Sequence, residues 1–375
     1  MSNENKKKKL LYITDQHEYT DHGSISALFN GYLKEYLDVH VVYLTKYKNS
    51  FQKKGTDYIV PQQYTKNICD YLESKDIELN SFSYVFVRNM LDVLSDTLKN
   101  RSKFGFKLGY RASFPKTEEA LAANKEKNKA SLLKTVGGYF EKFNKQRLLS
   151  ECDLFMPTSK DMEEVFYADS GVRSYPLPAG LCPNRITSHR ISDGADRNFI
   201  YVGTLDGLRN FAQVLVAFSR VKSQEWHLNI STFNPKYAQT VLNNYPSLVG
   251  KVTVREAGNL DELLVQVDDC DIGIALLPDI SVYNTVIPAK VMDYYTCAIP
   301  TILTDNPKNR TILSDEDALF CSFEVDSITA TIEKSIAMSE GEIADMGHSG
   351  QAKLLKHKRN YEIMAKELFE ELESL

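Results

Sequence analysis

The stretch that most constrains this chain is 271–304, DIGIALLPDISVYNTVIPAKVMDYYTCAIPTILT. Its opening apolar run, 272–277, has the length of a buried strand and stops at Pro278. A polar loop, 279–285, leads to Pro288, whose fixed φ suits the first turn of a helix. The spacing predicts that helix through Lys290, Met292, Asp293 and Tyr294, broken at Ile299-Pro300. A second buried strand, 301–304, closes the unit. Strand, loop, helix and strand in this order belong to a parallel sheet. Lys290 and Asp293 stand three apart, on one face of a helix whose N-terminus follows a strand's carboxyl end. Such an edge can hold a nucleotide, with the helix end and the cation on phosphate and the carboxylate on a ribose diol.

The rest of the chain repeats this alternation. With 375 residues it exceeds what one hydrophobic core usually serves, so two domains are expected. A net charge of −5 argues against a nucleic-acid partner, which calls for a basic face. No apolar run approaches the roughly 18–20 residues that span a bilayer. The N-terminus carries four lysines and then a strand, not a secretory apolar core, so the expected location is the cytoplasm. Six cysteines are scattered without a CxxC pair, which suits small core residues in a reducing compartment.

In the first half, 10–14 and 39–45 read as buried strands around a helix over 24–36. The loop between, 15–24, leaves the carboxyl end of the first strand, where open α/β sheets bind ligands. His22, Gly23 and Ser24 then meet a helix N-terminus, with glycine permitting close backbone approach. His17, Glu18, Asp21 and His22 fit three readings: a solvated loop, a cleft acid, base or hydroxyl binder, and metal ligands without a strong spacing. Strands are expected at 84–88, 106–113 and 154–158, the second ending in Arg111, Ser113 and Lys116. Arg111 reads equally as a ligand contact and as the partner of a surface carboxylate. The region 118–149 interleaves seven basic residues with apolar ones. That pattern suits an anionic membrane surface, and it also suits an ordinary solvated helix. Ser159 reads as a helix N-cap, not a catalytic serine.

Composition shifts at 176–180 and again through 185–197, placing a boundary there. The expected division is a first domain over 1–185, a second over 186–348, and a tail helix over 349–375 that returns to the first. A strand then restarts at 199–204, and a helix over 210–222 carries Phe211, Val214, Leu215 and Phe218 at helical spacing. Further strands are expected at 227–231, 251–255 and 319–323. Arg209, beside a glycine turn and a helix N-terminus, can offer a bidentate fork to phosphate, or serve as a surface arginine. Trp226 reads as core.

The stretch 271–304 resembles the donor-binding segment of GT-B glycosyltransferases, the large retaining group often called group 1 or family 4. The residues that carry the likeness are Asp271, Pro278, Pro288, Lys290, Asp293, Tyr294 and Pro300. Asp293 stands where the family has the second of two glutamates, and Thr285, eight positions earlier, where it has the first. The run YVGTLDGLR, 201–209, resembles the opening of the family's donor domain, with Arg209 as its diphosphate-binding base and Thr204 in place of a further arginine. DLFMPTS, 153–159, resembles the close of the acceptor domain.

What the resemblance implies is a GT-B fold, two Rossmann-like domains facing each other across a cleft. It implies a retaining transfer of sugar from a nucleotide-sugar donor to a hydroxyl of a glycan or lipid-linked acceptor, as in surface polysaccharide or glycoconjugate synthesis. Arg209, Lys290 and Asp293 would carry the chemistry, the first two at the diphosphate. Gly203, Thr204, Gly258, Asn259, Thr285, Val286 and Ile287 would complete the donor site. His17, His22, Gly23, Ser24, Arg111 and Ser113 would face the acceptor. The nucleotide sugar is then the substrate, with no cofactor and no essential metal. The expected partners are the donor, the acceptor and an anionic membrane surface. Two alternatives share the architecture: a nucleotide-sugar epimerase, and a sugar-binding module without turnover.

Overall fold

A computed structural model of the chain describes residues 7–17, 23–115, 118, 142–168, 170–188, 196–205 and 207–375. The backbone divides into two compact units, Met1–Pro178 with Glu362–Leu375, and Ala179–Tyr361. The divisions thus fall at 178/179 and 361/362, where the sequence suggested 185/186 and 348/349. The first shifts because Leu181 donates its N–H to the Arg359 carbonyl (2.8 Å) and its own carbonyl accepts from Tyr361 N (3.1 Å), tying 181 into the second unit. The second shifts because one long tail helix is in fact two, Glu340–Lys356 and Tyr361–Glu373. Lys358, at φ +56°, turns the chain between them. The earlier helix packs so closely on the second unit that a Cβ on Gly350 would lie 2.2 Å from the Tyr295 ring. The later one belongs to the first unit through Lys8–Glu373 (2.9 Å) and Arg173–Glu371 (2.6 Å).

In the first unit the described strands are β1 (Lys9–Thr14), β2 (Asp38–Thr45), β3 (Gln52–Lys54), β4 (Asp57–Pro61), β5 (Tyr84–Arg88), β6 (Lys107–Ala112) and β7 (Leu154–Pro157). Their order is β3-β4-β2-β1-β5-β6-β7, parallel throughout except β3 on β4. The central strands are apolar because both faces of a parallel sheet are covered. Leu10, Leu11 and Tyr12 of β1 have no exposed surface. The helix anticipated over 24–36 is two short helical turns, Ser24–Phe29 and Tyr32–Glu35. The break falls at Gly31, where even a Cβ would meet the Ala27 carbonyl oxygen at 2.3 Å.

The second unit holds β8 (Arg197–Val202), β9 (Trp226–Thr232), β10 (Val252–Glu256), β11 (Ile272–Ala275), β12 (Thr301–Thr304) and β13 (Leu319–Cys321). They form one parallel sheet in the order β10-β9-β8-β11-β12-β13. Its core gathers Phe199, Phe218 and Trp226 with Leu228, Ile230, Ile272 and Ile274. Phe211, Val214, Leu215 and Phe218 are the buried face of the helix Phe211–Ser219, as their spacing required. Ser159 caps the helix Lys160–Phe166, accepting from Met162 N at 3.0 Å. All six cysteines are free and buried.

Most of 118–149 lies outside the described residues, but one basic residue in it is settled. Lys145 is 3% exposed, paired with Glu118 and seated over the Tyr167 ring at 4.3 Å. It is a core cation, not one offered to a surface. Among the described residues no helix is long and apolar enough to cross a membrane.

Candidate functional site

In each sheet the strand order reverses about the unit's first strand, and ligand crevices of open α/β sheets form at that point, outside the carboxyl ends. In the second unit the reversal lies between β8 and β11. The helix Ala289–Thr296 is bolted there by Tyr294, whose hydroxyl accepts from Val202 N (3.0 Å) and donates to the Ile274 carbonyl (3.1 Å). This approach needs Gly273: a Cβ there would lie 2.3 Å from the Tyr294 ring. Lys290 is one turn N-terminal of Tyr294, on the same face, so it projects past the strand ends.

What it meets is the loop after β8. Its ammonium sits 3.8 Å from the centre of the Tyr201 ring and within 3.4 Å of where a Gly203 Cβ would be. Gly203 has φ +132°, a conformation open to glycine, and the Tyr201 hydroxyl donates to the Thr204 carbonyl at 2.8 Å. The stem of Lys290 keeps some exposure, but its ammonium nitrogen is out of solvent and has no hydrogen-bond partner among the described residues. Burial, with the nearby Arg209 charge, pulls Lys290 down to about 7, against the opposing pull of Asp293. Burial pushes the Asp293 carboxyl up to about 7, with Lys290 opposing. Arg209, just before the helix Phe211–Ser219, also acts on the buried Tyr201 hydroxyl. Arg209, Lys290 and Asp293 therefore share one electrostatic neighbourhood at the reversal point. Three backbone-proximal elements and two cations with an anion nearby make a cradle suited to a diphosphate.

The other residues expected here divide. Thr204 is exposed on the same loop. Thr285 ends the short helix Ser281–Asn284 and is buried, its hydroxyl donating to the Val282 carbonyl at 3.2 Å. Val286 and Ile287 follow it, also buried. Asn259 caps the helix Leu260–Asp268: its side chain accepts from Glu262 N (2.9 Å) and its N–H donates to Glu262 (3.1 Å). Both of those Asn259 groups serve the cap, and Gly258 before it sits at φ +62°. Asp271, part of the resemblance, is 1% exposed and accepts from Asn198 N at 2.7 Å, holding the start of β8.

In the first unit the reversal lies between β1 and β5. Arg88 pairs with Asp15 there, and Asn89 donates to the Ser113 hydroxyl (2.8 Å) while accepting from Ser113 N (3.0 Å). Ser113 is thus at the sheet edge, as expected. Arg111 is in register with Arg88 at the same edge, but it is 4% exposed and donates to the Met156 carbonyl at 3.0 Å. His17 is exposed, with its ring edge-on to Tyr47 at 4.9 Å. Ser24 is buried in the first helical turn after Gly23. Glu18, Asp21, His22 and Lys116 lie outside the described residues.

Sequence reasoning gave Tyr201 no role beyond its place in the run 201–209, and it did not single out Arg88 and Asn89, which join Asp15 at the first edge. Tyr201 carried a signal, since it stands two before Gly203 and alternate strand residues share a face. Arg88 was legible only as the end of a strand.

No family model matches the chain, and no curated protein sequence does. Solved structures do match. Sucrose-phosphate synthase from Thermosynechococcus elongatus aligns with a TM-score of 0.75 at 12% identity, over 98% of this chain and 99% of that one. HepE of Anabaena in complex with UDP-glucose gives 0.70 at 11% identity, over 98% and 100%. A glycosyltransferase from Rickettsia africae gives 0.61 at 9% identity, over 98% of each chain. At such identities the likeness is one of fold, and the fold of this chain is that of the GT-B glycosyltransferases, α/β with two Rossmann-like units.

Proposed function

We propose that the chain is a glycosyltransferase whose second unit holds a nucleoside-diphosphate sugar and whose first unit receives a glycan or lipid-linked acceptor. The observation that carries this reading is the gathering of Arg209, Lys290 and Asp293 where β8 and β11 diverge. HepE is described with UDP and with UDP-glucose, which makes UDP the first nucleotide to try.

In this reading Arg209 and Lys290 contact the diphosphate and Asp293 the ribose. The bond from the sugar's anomeric carbon to the phosphate oxygen breaks, and its electron pair leaves with the nucleotide. The two cations stabilise the charge that develops on that oxygen. A bond forms from the acceptor hydroxyl oxygen to the anomeric carbon, and the hydroxyl proton passes to the leaving phosphate. Retention of configuration follows the family resemblance. With two cations placed for the charge, no essential metal is expected. On the acceptor side the reading rests on Asp15, His17, Gly23, Ser24 and Ser113, with Arg111 buried at the same edge. A role in surface polysaccharide or glycoconjugate synthesis, with peripheral membrane contact, is the setting that the basic region before Leu148 supports.

The test is a thermal-shift screen with UDP, GDP, CMP and ADP, followed by release of nucleotide from the matching sugar donor with and without glycan acceptors. A ligand at a hundredfold excess over its Kd stabilises by about 2.7 kcal/mol. Acceptor-dependent nucleotide release supports transfer. Isomerised donor or free sugar without acceptor would point to the epimerase, and binding without turnover to the module. A chain that none of the four nucleotides stabilises sinks the reading.

A further inference from the structure

The cation that faces the cradle is held by a ring. Among the described residues Lys290 has no hydrogen-bond acceptor, yet its ammonium lies 3.8 Å from the centre of the Tyr201 ring, and Tyr201 is 1% exposed. The same side chain pins the loop that follows, through its hydroxyl on the Thr204 carbonyl. Its ring is tilted against Phe211 at 4.1 Å, which leaves it little freedom to turn. One aromatic residue therefore fixes two walls of the cradle, the cation and the Gly203–Thr204 backbone.

We propose that Tyr201 is a positioning residue for the donor's diphosphate: its ring holds the Lys290 ammonium charged and aimed over Gly203, and its hydroxyl sets the loop beside it. This rests on the nucleotide-sugar reading of the second unit. A buried ammonium without an acceptor is costly, and the negative face of a ring offsets that cost without occupying the N–H groups. Those groups stay available to phosphate. The groups that act on Lys290 are Arg209, which disfavours its charge, and Asp293, which favours it. Losing the ring disfavours the charge further.

The experiment measures UDP and UMP affinity by calorimetry between pH 6.5 and 9.5 in the full chain. Wild type loses UDP affinity as the pH rises past about 7, where Lys290 gives up its proton and Asp293 becomes a carboxylate. Only the Lys290 part of that decline should move with the ring at 201. Tyr201→Leu binds UDP about tenfold more weakly, moves that decline to lower pH, and shifts UMP affinity less than UDP affinity. Tyr201→Phe keeps the ring and restores the wild-type midpoint. Should the leucine variant not fold, 3,5-difluorophenylalanine at position 201 keeps the shape and weakens the ring face, and it must lower the midpoint relative to phenylalanine. A wild-type chain that binds UDP, with variants whose affinity stays within about twofold and whose midpoint does not fall, overturns this inference alone. A wild-type chain that binds no nucleoside diphosphate overturns the donor reading and this inference with it.

Discussion

The carboxyl edges of the two sheets treat a buried cation in opposite ways. In the first unit Arg88 is met by Asp15, and the neighbouring Asn89 is met by Ser113. In the second, Lys290 is met by a ring and has no acceptor among the described residues. Charge matched within the protein favours uncharged, hydroxyl-bearing ligands, since an added anion finds little unspent charge. An ammonium without an acceptor favours an anion. That difference is why the proposed reading puts the diphosphate at the second edge.

The largest effect that could break this comparison is on stability, at the first edge. Removing one partner of a buried ion pair strands the other, at a cost of about 3–5 kcal/mol. Arg88→Leu should lower stability by that order in urea unfolding. Lys290→Met should do the reverse of what charge removal does in the first unit. It deletes a buried ammonium that no acceptor compensates and keeps the apolar stem, so stability should hold or rise. UDP-dependent turnover should fall about a hundredfold or more, equivalent to about 2.7 kcal/mol of lost transition-state stabilisation. If Lys290→Met destabilises as Arg88→Leu does, the two edges are alike and the contrast is void.

A second effect sharpens the contrast by pH. Asp293 titrates near 7 when folded, above its ordinary 3.8, so between those values the folded state binds the extra proton and stability falls as the pH rises. Lys290 titrates near 7 when folded, below its ordinary 10.5, so above 7 the unfolded state binds the extra proton and stability climbs with pH. The two trends meet, and the pair places a stability minimum near pH 7. Urea unfolding at pH 5, 7 and 9 should show that dip in wild type and a shallower one in Lys290→Met/Asp293→Asn. Equal dips in both would mean that the two groups are solvated.

Much of this architecture could be read in advance, and the reason is periodicity. Buried parallel strands are short apolar runs, and Tyr84–Arg88 and Thr301–Thr304 begin and end where their runs do. Lys290 and Asp293 were legible because helix spacing puts them on one face. What escaped depends on contacts that spacing does not encode. Gly31 breaks a helix because of where the Ala27 carbonyl lies, and the burial of Arg111 and Lys145 depends on carbonyl and carboxylate partners distant in sequence. The edge strand β3 and its neighbour β4 were missed because QKK and DYIVP carry little apolar alternation. Tyr201 was legible as the start of the run 201–209, but not as the ring under a lysine distant in sequence.

The smallest effect concerns Asn259, whose side chain could serve either a nucleobase or a helix. The structure gives it to the helix, in a reciprocal cap with Glu262. Losing a cap of this kind costs about 1 kcal/mol. Asn259→Ala should therefore lower the urea midpoint modestly while the ratio of UDP to GDP affinity stays where it was. The reciprocal arrangement gives a control, because Glu262→Ala removes the other half of the cap and should cost a similar amount without reaching a ligand. If Asn259→Ala instead changes nucleotide preference while Glu262→Ala does not, the cap is secondary and the amide reads the base. The second unit's edge would then select its ligand by base as well as by charge.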